Sequence, residues 1–274
     1  MGQPQTWDWK VAGYLFLAGA GAGAFLVAVG GNLSLSLSRA AALLGVCLVG
    51  VGACLLIGDL GIKLRFWRVL SNPTSSWISI GSWLIGLFMS SGTIYFFFPG
   101  ATLAWVGMLA AAGTATYTGV LLGVVKARPF WNTPLLPVLF LVSALSTGAA
   151  LITLLTAWMG LPAAPWLRRD TFGLLILEGL LVFLYMLVMV QSTATAARSA
   201  REVLRGRWRF WFWLGTVSAG LILPSAILTL APGRSWGELS AVMVLAGGAS
   251  LRWWMLRAGA RRALPGESWA DVLI

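Results

Sequence analysis

The chain has no histidine among its 274 residues, which excludes the imidazole-ligated haems that many membrane electron carriers use. Cysteine is nearly absent too. Cys47 and Cys54 stand seven apart in one apolar run, without a CxxC pair or a neighbouring carboxylate, so they make no metal site and read as small buried thiols. No glycine loop of the phosphate-binding kind is present. Gly19, Gly21 and Gly23 lie inside an apolar run, and Gly19 with Gly23 has the small-xxx-small spacing that lets helices approach closely. Nor is there room for a separate soluble domain: the longest gap between apolar runs extends from Asp59 to Ser76.

What the chain has in abundance is hydrocarbon, with 59% of its residues hydrophobic. Stretches of about 20 apolar residues, enough to cross roughly 30 Å of lipid, occur eight times. They cover approximately residues 9-31, 40-60, 77-98, 101-125, 134-159, 169-193, 208-231 and 236-258. Lipid offers the backbone no hydrogen-bond partners, so each run is expected to be a helix. The fold class is therefore all-α integral membrane protein, a single domain over residues 1-274 with eight transmembrane helices. Lys10, at the start of the first run, is the sole cation before its apolar stretch and no short core with a cleavage site follows, so the start reads as a span and not as a cleaved signal.

With eight spans both termini share one side, face A, together with the 2-3, 4-5 and 6-7 connections. Face A receives Lys10, Lys63, Arg65, Arg68, Lys126, Arg128, Arg198, Arg201, Arg205, Arg207, Arg209, Arg252, Arg257, Arg261 and Arg262; face B receives Arg39, Arg168, Arg169 and Arg234. The positive-inside rule then puts face A, with both termini, in the cytoplasm. Tryptophan follows the same asymmetry, twelve against four. An aromatic belt serves both interfaces, whereas Trp and Arg together are what protein interfaces enrich. Face A is thus expected to dock a partner.

Polar residues within lipid are costly and are functional candidates by default. Tyr14, Asp59, Tyr117 and Lys126 fall toward face A on spans 1, 2 and 4, where phenol, carboxylate and ammonium groups in one apolar wall suit hydrogen bonding to a quinone and proton exchange with it. The competing reading makes Asp59 a helix-end ion pair and the tyrosines interfacial anchors. In span 6, Thr171, Glu178, Tyr185 and Ser192 recur every seven residues. Seven residues turn a helix by about 700°, so they form one straight stripe about 31 Å long. Either it relays protons past the central Glu178, where a charged carboxylate is expensive without a cation or water, or it is hydrogen-bonding glue between helices.

Three long segments, YLFLAGAGAGAFLVA (14 to 28), DLGIKLRFWRVLSNPTSSWISIGSW (59 to 83) and YTGVLLGVVKARPFWNTPLLPVLFLVSALSTGAA (117 to 150), resemble the NrfD-type membrane subunits of the polysulfide-reductase kind. The resemblance covers spans 1 to 5 closely and the rest by span count. It implies two four-helix bundles and a menaquinone or ubiquinone site, with no redox centre, haem or metal in the chain itself. It also implies an iron-sulfur partner subunit of the multi-cluster, ferredoxin-like type, leading to a catalytic subunit, often of the molybdopterin type. Tyr117 matches the family's quinone-site tyrosine, while Tyr14 stands where a histidine is expected. Arg65, Trp67 and Arg68, with Trp77, Arg128 and Trp131, fall in the segments expected to meet that partner.

Together these readings describe the membrane anchor and quinone-reactive subunit of a respiratory oxidoreductase complex in a prokaryotic cytoplasmic membrane. A secondary transporter with a midplane site at Glu178 and a purely structural anchor are the alternatives. The family resemblance conflicts with the charge count on one point, since in polysulfide reductase the partner subunits are expected outside.

Overall fold

A computed structural model describes residues 9–59, 77–162 and 164–259. Among them eight helices are long and apolar enough to cross a membrane. They are α1 (Trp9–Gly30), α2 (Leu35–Asp59), α3 (Trp77–Phe97), α4 (Ala101–Gly123), α5 (Leu135–Trp158), α6 (Pro165–Gln191), a seventh span described below, and α9 (Arg234–Ala258). No strand is present among the described residues. The expected runs agree with these helices within a few residues. Where they differ, as at the start of α2 and α6, polar residues lie inside the helix ahead of the expected run: Ser36, Ser38 and Arg39 in one, Arg168 in the other.

Helices α1 to α4 close into one four-helix ring, and α5, α6, the seventh span and α9 close into another. Helix α1 is the seam, packing on α2 and α4 in its own bundle and on α5 and α9 in the second. Glycine makes that central position possible. A Cβ on Gly23 would collide with the Ala144 carbonyl of α5, and one on Gly148 with the backbone of Gly23. A Cβ on Gly21 would lie only 2.8 Å from the Gly45 carbonyl oxygen of α2. Small residues thus replace side-chain interdigitation by backbone contact, as the glycine spacing predicts.

Span 7 departs from an ordinary helix. Trp211–Ile222 is a π-helix, continuing as α8 (Leu223–Leu230) behind Pro224. Between α6 and this span lies α7 (Ala194–Leu204), a short helix the apolar runs give no hint of. The Thr193 hydroxyl caps it by accepting from the Ala196 amide at 3.4 Å. It buries Thr195, Ala196, Ser199, Ala200 and Val203 and exposes Arg201.

Three of the four face-B cations bind helix C-termini, where carbonyls lack intrahelical donors and the dipole is negative. Arg39 donates to Phe96 O at 2.7 Å and Phe97 O at 2.9 Å at the end of α3. Arg168 reaches Leu228 O, Ile227 O and Ala231 O at 2.8, 3.0 and 2.8 Å at the end of α8. Arg234 donates to Ala157 O at the end of α5. These arginines hold the helix ends of that face. Face A loses one cation as well, because Arg252, counted there from the sequence, is completely buried inside the protein. Cys47 and Cys54 depart from the expectation of buried thiols, since both are exposed on the lipid-facing side of α2 and not packed in the core.

Candidate functional site

Helix α1 enters from face A and α4 ends there, so Tyr14 lies little more than a turn into one helix and Tyr117 less than two turns from the end of the other. The structure brings these two phenols together: Tyr14 is wholly buried and Tyr117 nearly so, and each lies within electrostatic reach of the other. Gly52 of α2 leaves room for the Tyr14 ring, and Gly81 of α3 is the floor under Tyr117, where any Cβ would overlap the tyrosine ring. The Tyr14 hydroxyl is buried with no hydrogen-bond partner among the described residues. A buried hydroxyl left unpaired costs about 1–3 kcal/mol, so this orphan donor is the natural place for a ligand's acceptor oxygen. A quinone carbonyl fits that donor.

The other candidates separate. Asp59 is the last residue of α2 and its side chain, like Arg65, Trp67 and Arg68 entirely, lies outside the described residues. Lys126 is exposed in the turn after α4, not in the buried wall expected for it. Trp77 is exposed at the first residue of α3, where a partner can reach it. Trp131 is not a docking residue of that kind. It is fully buried, donates from Nε1 to Met255 O at 2.8 Å and lies 4.7 Å beneath Arg128, whose guanidinium donates to Gly259 O at 2.7 Å. Both tie the 4-5 connection to the end of α9. Trp254, another face-A tryptophan, is equally buried and donates to Thr216 Oγ1 at 2.9 Å. Part of the tryptophan excess therefore serves the core.

The span-6 stripe is buried at Thr171, Glu178 and Tyr185 but not at Ser192, which is exposed just past the helix end. Thr171 gives its hydroxyl to Leu167 O at 2.6 Å within its own helix. Tyr185 donates to Phe130 O in the 4-5 connection, its ring edge-on to Phe130 at 5.4 Å. That end of the stripe is glue.

At its centre the stripe meets a group that sequence reasoning missed. Glu178, the central residue of the 27-residue α6, is buried near Ser143 and Ser146 of α5 and faces the charge of Arg252. Arg252 donates to Ser143 Oγ and to Gly248 O at 3.2 Å, and lies 5.2 Å over the Phe140 ring. Its NH2 points at the backbone of Gly19, where a Cβ would come within 3.2 Å. Nε and NH2 have no partner among the described residues. The signal was available: an arginine inside the eighth apolar run, several residues short of its end. A cavity of about 320 Å³ opens near face B, with Thr153, Thr156, Thr171 and Ser240 in its wall and Arg168, Arg234 and Glu238 beside them. Thr171 thus joins the stripe to that cavity.

Set beside known proteins, the sequence of this two-bundle molecule matches over residues 2–264 a family described as polysulfide reductase, of the NrfD type. The chain belongs to the NrfD-type family. Among NrfD-type relatives, a polysulfide reductase chain of Wolinella succinogenes is 32% identical, with 93% of the present chain and 94% of the relative covered. Protein NrfD of Escherichia coli is 29% identical over 92% of each protein. A selenate reductase subunit of Mesobacillus selenatarsenatis is 32% identical over 54% of the present chain and 38% of its own length. This NrfD-type protein is accordingly a multi-pass membrane protein, and these relatives include named parts of two reductases.

Proposed function

We propose that this chain is the quinone-exchanging membrane subunit of a respiratory oxidoreductase complex, passing electrons between a membrane quinone near face A and a docked iron-sulfur subunit. The observation that carries the reading is the unpartnered, fully buried Tyr14 hydroxyl beside Tyr117. A bound menaquinone or ubiquinone supplies two-electron, two-proton chemistry. The protein's own residues hold and orient it: both phenols donate toward its oxygens, the Gly81 floor fixes the Tyr117 ring, and the apolar wall of Leu15, Ala18 and Leu121 keeps water out. Asp59, ending α2 at the same face, is the carboxylate proposed to exchange protons with solvent.

Trp77, together with Arg65, Trp67 and Arg68, is the proposed contact for the multi-cluster iron-sulfur partner, which leads to a catalytic subunit proposed to be of the molybdopterin type. Glu178 with Thr171 is proposed to hold protons between the face-B cavity and the bundle interior, with Arg252 as its cationic neighbour. Face A with both termini is proposed to be cytoplasmic in a prokaryotic cytoplasmic membrane. The three face-B arginines committed to helix ends support this, because they answer a packing need at that face.

The test is quinol oxidation by the intact complex, comparing wild type with Tyr117→Phe and Asp59→Asn. Loss of turnover with assembly intact supports the site; unchanged turnover in both sinks it and leaves a structural anchor. A periplasmic reporter fused at Ile274 settles sidedness, and co-purification with mass spectrometry identifies the catalytic partner.

A further inference from the structure

The seventh span is drawn toward α9. Gly220 of the π-helix and Gly247 of α9 meet backbone to backbone, so a Cβ on either would overlap the other. Ser250 Oγ adds a bond to Trp211 O at 2.7 Å. On its opposite side, toward α6, the span leaves a groove of about 700 Å³. Its wall is apolar, with Ser225 the single hydroxyl residue, and the Trp213 indole N–H at its face-A end is already given to Leu204 O at 3.0 Å. The α6 wall extends from Leu175 to Val190, about 22 Å at about 1.5 Å per residue. This is the length and chemistry of a hydrocarbon chain, and its one hydroxyl, Ser225, stands on α8 toward the face-B end, away from the arginines.

The chain at the face-A end of the groove selects the headgroup. Leu204 ends α7 and lines the groove, and Arg205, Arg207 and Arg209 follow it at once, all exposed. Among the described residues ion pairs join Arg169 to Asp170 and Arg234 to Glu238, and no carboxylate neutralises Arg205 or Arg209. Glu202, the one acid of this stretch, accepts from the Arg207 amide at 3.3 Å. Basic pockets between helices at a membrane face recognise anionic headgroups.

We propose that the groove between α6 and the seventh span binds one anionic phospholipid of the bilayer, its acyl chain along Gly179, Val182 and Val217 and its phosphate on Arg205, Arg207 and Arg209. The lipid fills the space that the glycine contact with α9 opens, and so braces the π-helix from the side the protein leaves bare. It also fixes α7 against the membrane surface.

The experiment is native mass spectrometry of the intact complex released from nanodiscs of equal phosphatidylcholine and phosphatidylglycerol. Wild type is expected to retain phosphatidylglycerol severalfold over phosphatidylcholine, Arg205→Gln/Arg209→Gln to abolish that preference, and Gly179→Leu to lose both lipids. A Cβ on Gly179 meets only Leu221 Cδ1, at 3.7 Å, so the leucine extends into the groove. The paired arginine variant alters exposed side chains alone and carries the test if Gly179→Leu fails to fold. Equal retention of the two lipids by wild type, phosphatidylglycerol retention unchanged in the arginine variant, or a quinone that disappears on Gly179→Leu would each overturn the proposal.

Discussion

Arg252 of α9 donates a hydrogen bond to the Ser143 hydroxyl of α5, and the buried Glu178 at the middle of α6 faces the same serine and the arginine's charge. A buried cation and a buried carboxyl thus flank one hydroxyl without forming a direct ion pair. Removing one partner of a buried pair in direct contact costs about 3–5 kcal/mol, while replacing both is far cheaper, and across a shared serine the effect has the same sign. Arg252→Gln is expected to lower the thermal unfolding temperature of the solubilised protein sharply, and Glu178→Gln in the same chain to recover much of the loss. A double-mutant cycle showing simple additivity would separate the two residues and remove the cluster.

Tyr14→Phe should act in opposite directions on stability and on ligand. The hydroxyl has no partner among the described residues, so deleting it relieves about 1 kcal/mol or more of desolvation cost in the ligand-free protein. The same deletion removes a donor to the quinone, so quinone affinity should fall, by roughly tenfold for about 1.4 kcal/mol of lost hydrogen bonding. Thermal unfolding with and without added menaquinone analogue reads both. A variant that is less stable without ligand would mean that the hydroxyl is a satisfied structural group.

The eight spans were legible because lipid imposes one requirement, a long apolar run, that sequence shows directly. Glycine spacing at Gly19 and Gly23 gave the tight packing of α1 for the same reason. The first-bundle phenols were also legible, since an aromatic hydroxyl inside an apolar run stands out. Other features escaped for physical reasons. Helix α7 is amphipathic and too short for a hydropathy window, and the apolar run of the seventh span shows its length but not its π-helical hydrogen bonding. Arg252 was read as an interfacial charge because a count by face assumes that cations near a span end reach water. Trp131 was read as surface, although an indole with one N–H to satisfy packs well once Met255 offers its carbonyl.

Backbone contact at the seam makes a sharp comparison possible between two glycines. Gly23→Val is expected to prevent the bundles from seating, since even the first carbon beyond the backbone collides with the Ala144 carbonyl of α5. Gly173 of α6 has nothing within 4 Å of its Cβ position, so Gly173→Ala should be neutral or stabilising by up to about 1 kcal/mol through helix propensity. Yield of monodisperse protein in size-exclusion chromatography measures both, and equal yields would mean that α1 and α5 do not meet in this way.

Neighbouring arginines at the start of α6 should differ as strongly. Arg168 serves three carbonyls at the end of α8, whereas Arg169 is exposed and among the described residues pairs with its neighbour Asp170 at 3.3 Å. Bonds from a charged donor contribute about 1.5–3 kcal/mol each when their loss leaves acceptors unsatisfied, and exposed ion pairs contribute about 0–1 kcal/mol. Arg168→Gln should therefore destabilise the second bundle measurably in thermal unfolding, and Arg169→Gln hardly at all. Because the lost bonds join the start of α6 to the end of α8, hydrogen exchange at Leu228 to Ala231 should accelerate in the first variant alone. Faster exchange in both, or in neither, would show that the arginine does not hold the α8 terminus.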